Sequence, residues 1–268
     1  MRKLHYPASD GYKLKALYFA AECEGMPLIV DIHGGGFATG DAEGDEKLCE
    51  RLREETGFCT VSLDYRLAPK WKFPTAINDC CDLLQGMLAD DSLTFDREKI
   101  FVIGHSAGAN LAVALARKYG KIRLAVLNYP WLEVAINKRK FLSASIPGHV
   151  LDLFCRKYCS EPAQKESTFV NPLRMSREEA GKLPPSLVIV GGSDSLRVDG
   201  IGFAKLLQEA GVNCKLCDYP SARHGFIEIV ASGRMKKNFY TSEKTVREQI
   251  GCFEQAITQI ASFFKENA

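Results

Sequence analysis

The chain has 268 residues, 46% of them hydrophobic and 25% charged, the balance of an ordinary soluble globular protein. Its 35 basic and 33 acidic residues leave a formal net charge of +2, which gives no sign of a surface for nucleic acid or an anionic membrane. No stretch approaches the roughly 18 apolar residues of a membrane span, and mixed polar sequence after Met1-Arg2-Lys3 takes the place of a secretory apolar core.

In chain order, residues 2–6 and the alternating run "KLKALYFAA" (13–21) are expected to form an antiparallel hairpin around Asp10-Gly11. "PLIVDIH" (27–33) is a continuous apolar run, the pattern of a strand buried on both faces, and it ends in three consecutive glycines. A helix over 44–57, a strand over 58–65 and a helix over 73–88 follow, the last with Pro74 near its start. "KIFVIGHS" (99–106) predicts a strand that enters a turn, then a helix over 107–120 closed by Gly120, then a strand over 123–130. The second half predicts a strand running into a loop over 184–194, a helix at 200–211, a strand at 212–220 and a closing helix over 241–267. No internal repeat interrupts this alternation of strand and helix. It implies a single α/β domain over 1–268, with a mostly parallel sheet covered by helices on both faces.

Residues 132–183 break the rhythm, with 132–168 as the expected lid, and "PGHVLDLFCRKYC" (147–159) within them reads as an amphipathic helix. An insertion at such a connection is expected to form a lid over the strand ends, with 227–241 open as a second contribution. Lys138-Arg139-Lys140 reads as a solvated turn rather than a polyanion site.

Ten cysteines without a signal segment point to reduced thiols and a cytoplasmic setting. Cys214 and Cys217 lie three apart on a strand and so face opposite sides, which disfavours a redox pair or a shared metal. Cys155 and Cys159 lack the histidine or second pair that a zinc site requires. No metal site is therefore expected among the cysteines.

The chemistry-bearing pattern is Gly104-His105-Ser106-Ala107-Gly108, a G-x-S-x-G between an apolar strand and a helix. Glycines two before and two after the serine suit a sharp turn whose neighbouring Cβ atoms would collide. The turn lifts the serine oxygen clear at a helix N-terminus, where the dipole favours developing negative charge. A serine hydroxyl needs a base to take its proton and an acid to orient that base. Asp194 in "GGSDSL" and His224 in "SARHGF" follow consecutive predicted strands in the order this fold demands. His5 lies in the first strand, and His105 should point away from the nucleophile. His149 falls in the lid segment, and Asp199 reads as a charge at a helix start. An oxyanion formed at Ser106 needs donors, and Ala107 together with the glycines of His33-Gly34-Gly35-Gly36 can supply backbone N–H groups. A phosphate cradle is disfavoured, because neither G-x-x-x-x-G-K-[ST] nor G-x-G-x-x-G frames those glycines.

"HGGGFATG", "DYRLAPKWKFPTAINDC", "GHSAG", "NYPWL", "LPPSLVIVGGSDSLRVDG" and "HGF" stand in an order that resembles the hormone-sensitive lipase family of α/β-hydrolases. The resemblance spans about residues 27–226 and is specific as a set, though not motif by motif. It implies an α/β-hydrolase fold, hydrolysis of carboxylic esters without a cofactor, and a triad of Ser106, Asp194 and His224. It also implies an oxyanion hole from Gly35, Gly36 and Ala107. Three features depart from the family pattern: His105 stands where Asp is common, Lys70 replaces an acid, and the stretch before the first core strand is short, so the family's N-terminal cap helices are expected to be missing or reduced. The expectation is a short-acyl esterase with a small-molecule ester as its partner, with neither nucleic acid nor membrane involved and a homodimer left open. An aryl formamidase or other amidase on the same triad is the alternative, followed by a non-catalytic ligand receptor.

Overall fold

The buried strands are apolar throughout because successive residues face two different cores. A computed structural model of the protein describes residues 1–134, 145–236 and 241–268. In chain order the elements are β1 (Arg2–Pro7), β2 (Lys13–Phe19), β3 (Leu28–Ile32), α1 (Glu46–Thr56), β4 (Cys59–Asp64), α2 (Thr75–Leu88), β5 (Ile100–His105) and α3 (Ala107–Tyr119). They continue as β6 (Leu124–Asn128), α4 (Gly148–Tyr158), α5 (Arg177–Ala180), β7 (Ser186–Gly191), α6 (Arg197–Glu209), β8 (Cys214–Tyr219), α7 (Phe226–Ala231) and α8 (Glu243–Asn267). Short 3-10 turns occupy Ala42–Asp45, Pro162–Glu166 and Pro172–Arg174.

The eight strands form one sheet in the order β1-β2-β4-β3-β5-β6-β7-β8. β1 and β2 pair antiparallel, as the hairpin reading expects, and β2 is antiparallel to β4; every later pairing is parallel. Leu28, Val30 and Ile32 of β3, with Ile100 and Val102 of β5, face a core shared with α2, α3 and α6. Ile29, Phe101 and Ile103 face the other core, built on α1 and α8. The two faces explain why Cys214 joins the first core while Cys217 packs against the second.

This is the α/β-hydrolase fold. Strand order reverses between β3 and β5, since β3 leads to β4 on one side while β5 starts the walk to the other. A crevice for ligands opens at such a reversal, at the carboxyl ends of the strands. The glycine loop follows β3 and Ser106 follows β5, so both sit at that crevice.

Most element ends fall within two or three residues of the sequence reading. The helix expected at 200–211 begins earlier, at Arg197, because the Asp194 carboxylate accepts the Leu196 N–H at 2.9 Å and starts the turn. The strand expected over 123–130 ends at Asn128, since Tyr129 turns to φ 37°. Lys138, Arg139 and Lys140 lie outside the described residues, as do 237–240 of the second expected lid segment; its first part is α7.

Candidate active site

Sharpness of the turn after β5 dictates its glycines. Ser106 adopts φ 56° and ψ −114°, a strained conformation for a residue with a side chain. A Cβ on Gly104 would come within 2.5 Å of the Gly108 carbonyl oxygen, and one on Gly108 within 2.0 Å of the Ile32 carbonyl oxygen. Both positions must be glycine for α3 to pack this closely across β3 and β5. Ser106 is the residue at the N-terminal end of α3, and Ala107 is its first helical position.

Loops at the ends of β7 and β8 bring the other two groups to the serine. The Ser106 hydroxyl donates to His224 Nε2 at 2.9 Å, and His224 Nδ1–H donates to Asp194 Oδ2 at 2.8 Å. The Asp194 side chain is fully buried, and its second oxygen holds the Leu196 N–H, so the carboxylate cannot rotate away from the imidazole. All three sequence-predicted groups therefore meet in one chain of hydrogen bonds across 118 positions of sequence.

The glycine loop lies against them. A Cβ on Gly34 would sit 3.5 Å from the Ser106 Cβ. Gly35 and Gly36 have φ 109° and 62°, and a Cβ on Gly35 would reach 2.1 Å from the Thr39 carbonyl oxygen. Thr39 and Ala38 both return their N–H groups to the Gly35 carbonyl, which curls the loop. The N–H groups of Gly35 and Gly36 donate to no acceptor among the described residues. His33 is buried, which lowers its pKa, and its Nδ1–H donates to the Gly34 oxygen at 2.7 Å. The ring stacks on Tyr65 at 4.2 Å, so His33 braces the loop.

A cavity of about 550 Å³ opens onto Ser106 and His224. Trp131, Ile146, Leu151 and Phe154 form its apolar wall, the last two from α4. Phe154 presses on Gly36, where an added Cβ would be 2.5 Å from its ring. Asp45, Glu228 and Arg234 add polar groups to its lining.

Other candidates fall elsewhere. His5, His149 and Lys70 are exposed and line no part of this cavity. Asp199 sits in the first turn of α6, as expected, and also accepts the N–H groups of Leu132 and Glu133 at 3.0 Å each, which anchors the start of the inserted segment. His105 does turn away from the cavity. Its partners were not foreseen: the fully buried ring contacts Asp31, with Glu228 and Tyr129 beyond it. An acid in the middle of "PLIVDIH" was the available signal for a buried cation beside it. All ten cysteines are free, and seven are buried.

Residues 29–228 match a family model described as the alpha/beta hydrolase fold. Among characterised proteins, the chain is similar to an ethyl acetate hydrolase of Pseudomonas putida, 29% identical over 75% of this chain and 66% of that protein. It is also similar to an arylesterase of Saccharolobus solfataricus, 30% identical over 69% of this chain and 63% of that one. The match thus spans about two thirds of the length of these relatives. Among solved structures, an esterase of Pyrobaculum calidifontis superposes with a TM-score of 0.84 at 30% identity, covering 99% of this chain and 85% of that one.

Proposed function

The chain belongs to the hormone-sensitive lipase-like family of α/β-hydrolases, and from that premise we propose that it is a carboxylic ester hydrolase acting through an acyl-enzyme on Ser106. The carrying observation is the continuous hydrogen-bond chain Ser106–His224–Asp194, at 2.9 and 2.8 Å. In the proposed reaction His224 takes the serine proton while Oγ attacks the ester carbonyl, and Asp194 holds the imidazole in the required tautomer and stabilises the imidazolium. The N–H groups of Gly35, Gly36 and Ala107 receive the oxyanion. His224 then returns its proton to the leaving alcohol, activates a water, and the acid is released.

Short acyl groups suit the apolar wall, which Phe154 closes next to the glycine loop. The ethyl acetate hydrolase among the relatives supports the same substrate class. In this reading the described parts of the expected lid on the single domain, 145–168 and 227–236, cover the site; Leu151 and Phe154 from α4 line the cavity. Free cysteines support a reducing, cytoplasmic setting. Among the described residues no helix is long and apolar enough to cross a membrane.

Ser106→Ala should abolish turnover of 4-nitrophenyl acetate, with a loss in kcat on the order of 10⁴ or more. Retained turnover by that variant overturns the acyl-enzyme. A wild type that leaves acetyl, butyryl and hexanoyl esters intact but cleaves N-formylkynurenine would make the protein an amidase instead.

A further inference from the structure

Behind the nucleophile lies a buried polar cluster that the acyl-transfer steps do not use. His105, Asp31 and Asn128 are fully buried at the ends of three adjacent strands. His105 Nε2 is 3.0 Å from Asp31 Oδ1, and the other Asp31 oxygen accepts the Ser62 hydroxyl at 2.9 Å. At the opposite edge of the ring, Nδ1 lies 3.5 Å from Glu228 Oε2, 3.4 Å from the Tyr129 oxygen and 3.2 Å from the Asn128 amide. Asp45, from the turn before α1, brings a third carboxyl within 4.8 Å of Asp31 and His105. Cys49 from α1 also faces Asp31, and Arg234 beyond α7 faces Asp45.

The carboxylates on both edges of the ring bear on its protons. Asp31 only accepts, so Nε2 carries a proton. Tyr129 spends its single O–H on Glu228 and has none left for Nδ1. Asn128 Oδ1 has no partner among the described residues. As placed, the Asn128 amide nitrogen faces Nδ1, which suits a bare Nδ1; turned end for end, the amide presents its unpartnered Oδ1 to a protonated Nδ1, the form that the Glu228 carboxylate beside it favours. Burial by itself would lower the His105 pKa, but the Glu228 charge and the hydrogen bonds to Asp31 and Glu228 outweigh it and hold the ring well above its ordinary range. Burial, with Asp31 close by, raises the Asp45 carboxyl instead. The cation that these acids require is therefore the imidazolium itself, and no metal ion is needed among them.

We propose that His105 is a positioning residue, a standing imidazolium that ties Asp31 and the nucleophile's strand to Glu228 on α7 and thereby holds His224 against Ser106. The inference rests on the reading of Ser106 and His224 given above. His105 immediately precedes the serine, and Glu228 follows the base by four residues. Tyr129 is the third point of attachment: its hydroxyl donates to Glu228, and its ring packs edge-on against His224 with centroids 5.0 Å apart. Neutralising Glu228 removes the charge that faces Nδ1 while Asp31 still holds Nε2, so the tie to α7 is lost and the loop that carries His224 shifts.

The test is histidine-selective ¹⁵N NMR on the whole protein, with through-bond assignment of its five histidines. His105 should show both ring nitrogens protonated at pH 7, with its titration displaced above the ordinary imidazole range. Glu228→Gln keeps the shape and removes the charge. It should lower kcat on a short-acyl ester about ten- to a hundredfold with KM nearly unchanged, and bring the His105 titration down toward the ordinary imidazole range. A neutral His105 tautomer in the wild type at pH 7 overturns the proposal whether or not any variant folds. So does Glu228→Gln with unaltered kcat. Active Ser106→Ala would remove the esterase mechanism while leaving the ¹⁵N result intact, so the two failures are distinguishable.

Discussion

Ser106, at φ 56°, holds a strained backbone that only its surroundings make tolerable. Its identity was legible because the glycines at 104 and 108 have no alternative: any side chain there meets backbone at 2.5 Å or closer. Asp194 and His224 were legible for a weaker reason, their places after the strands that precede them. The hydrogen bond from His224 Nδ1 to Asp194 fixes which ring nitrogen faces the serine. Asp194→Asn keeps the shape but favours the opposite tautomer, so kcat for 4-nitrophenyl acetate should fall about 10⁴-fold with folding intact. A fall below tenfold, with circular dichroism unchanged, would assign the orienting role to another group. Glu228 and Tyr129 were not legible, because nothing in "HGFIEI" or "NYPW" states that they meet beneath the triad.

Among the elements, α4 carries the most consequence. Its amphipathic sequence identified a helix, with Leu151, Cys155 and Tyr158 buried on one side. Sequence did not say that Phe154 would reach the glycine loop, because that depends on how α4 is placed against the loop after β3. Asp199 anchors the start of the inserted segment by holding the N–H groups of Leu132 and Glu133. Phe154→Ala removes the ring that closes the apolar wall. The ratio of kcat/KM for hexanoyl over acetyl esters should then rise by about tenfold, the gain from burying roughly two further methylenes at about 0.8 kcal/mol each in the space that the ring leaves. A profile identical to the wild type would place the acyl chain on the other side of the cavity. Helix ends were read a few residues late or early for local reasons, as at Arg197, where an aspartate already committed to the active site also starts the helix.

On the scale of the molecule, two cores flank one sheet, and most of the thiols are sunk in them. Cys49 and Cys80 are pushed up well above the usual thiol range by burial, and Cys159 and Cys214 are raised by burial to about 12 from 9.0. The folded chain holds these protons while an unfolded chain releases them near pH 9.0, so their contribution to stability is intact below that pH and lost as pH rises toward 12. Urea midpoints should therefore drop between about pH 8 and about pH 10. In the native protein a thiol reagent should label exposed Cys23 at once, Cys81 and Cys217 slowly, and the other seven only on unfolding. Rapid native labelling of all ten would show that the two cores open readily.

The alternation of apolar runs with helical spacing by itself determined the α/β architecture, because burial on two faces and burial on one stripe leave different periods in a sequence. The serine turn was determined in the same way, since glycine is the only residue that its close packing admits. What only the tertiary structure decided are contacts between segments far apart in the chain: Phe154 on Gly36, His105 between Asp31 and Glu228, and Tyr129 against His224. Local pattern records what each segment needs from solvent and core, whereas these pairings depend on the path of the loops between elements. The three glycines after β3 fall on both sides of that line. Their backbone requirement is written in the sequence, and their position beside Ser106 follows from the reversal of strand order between β3 and β5.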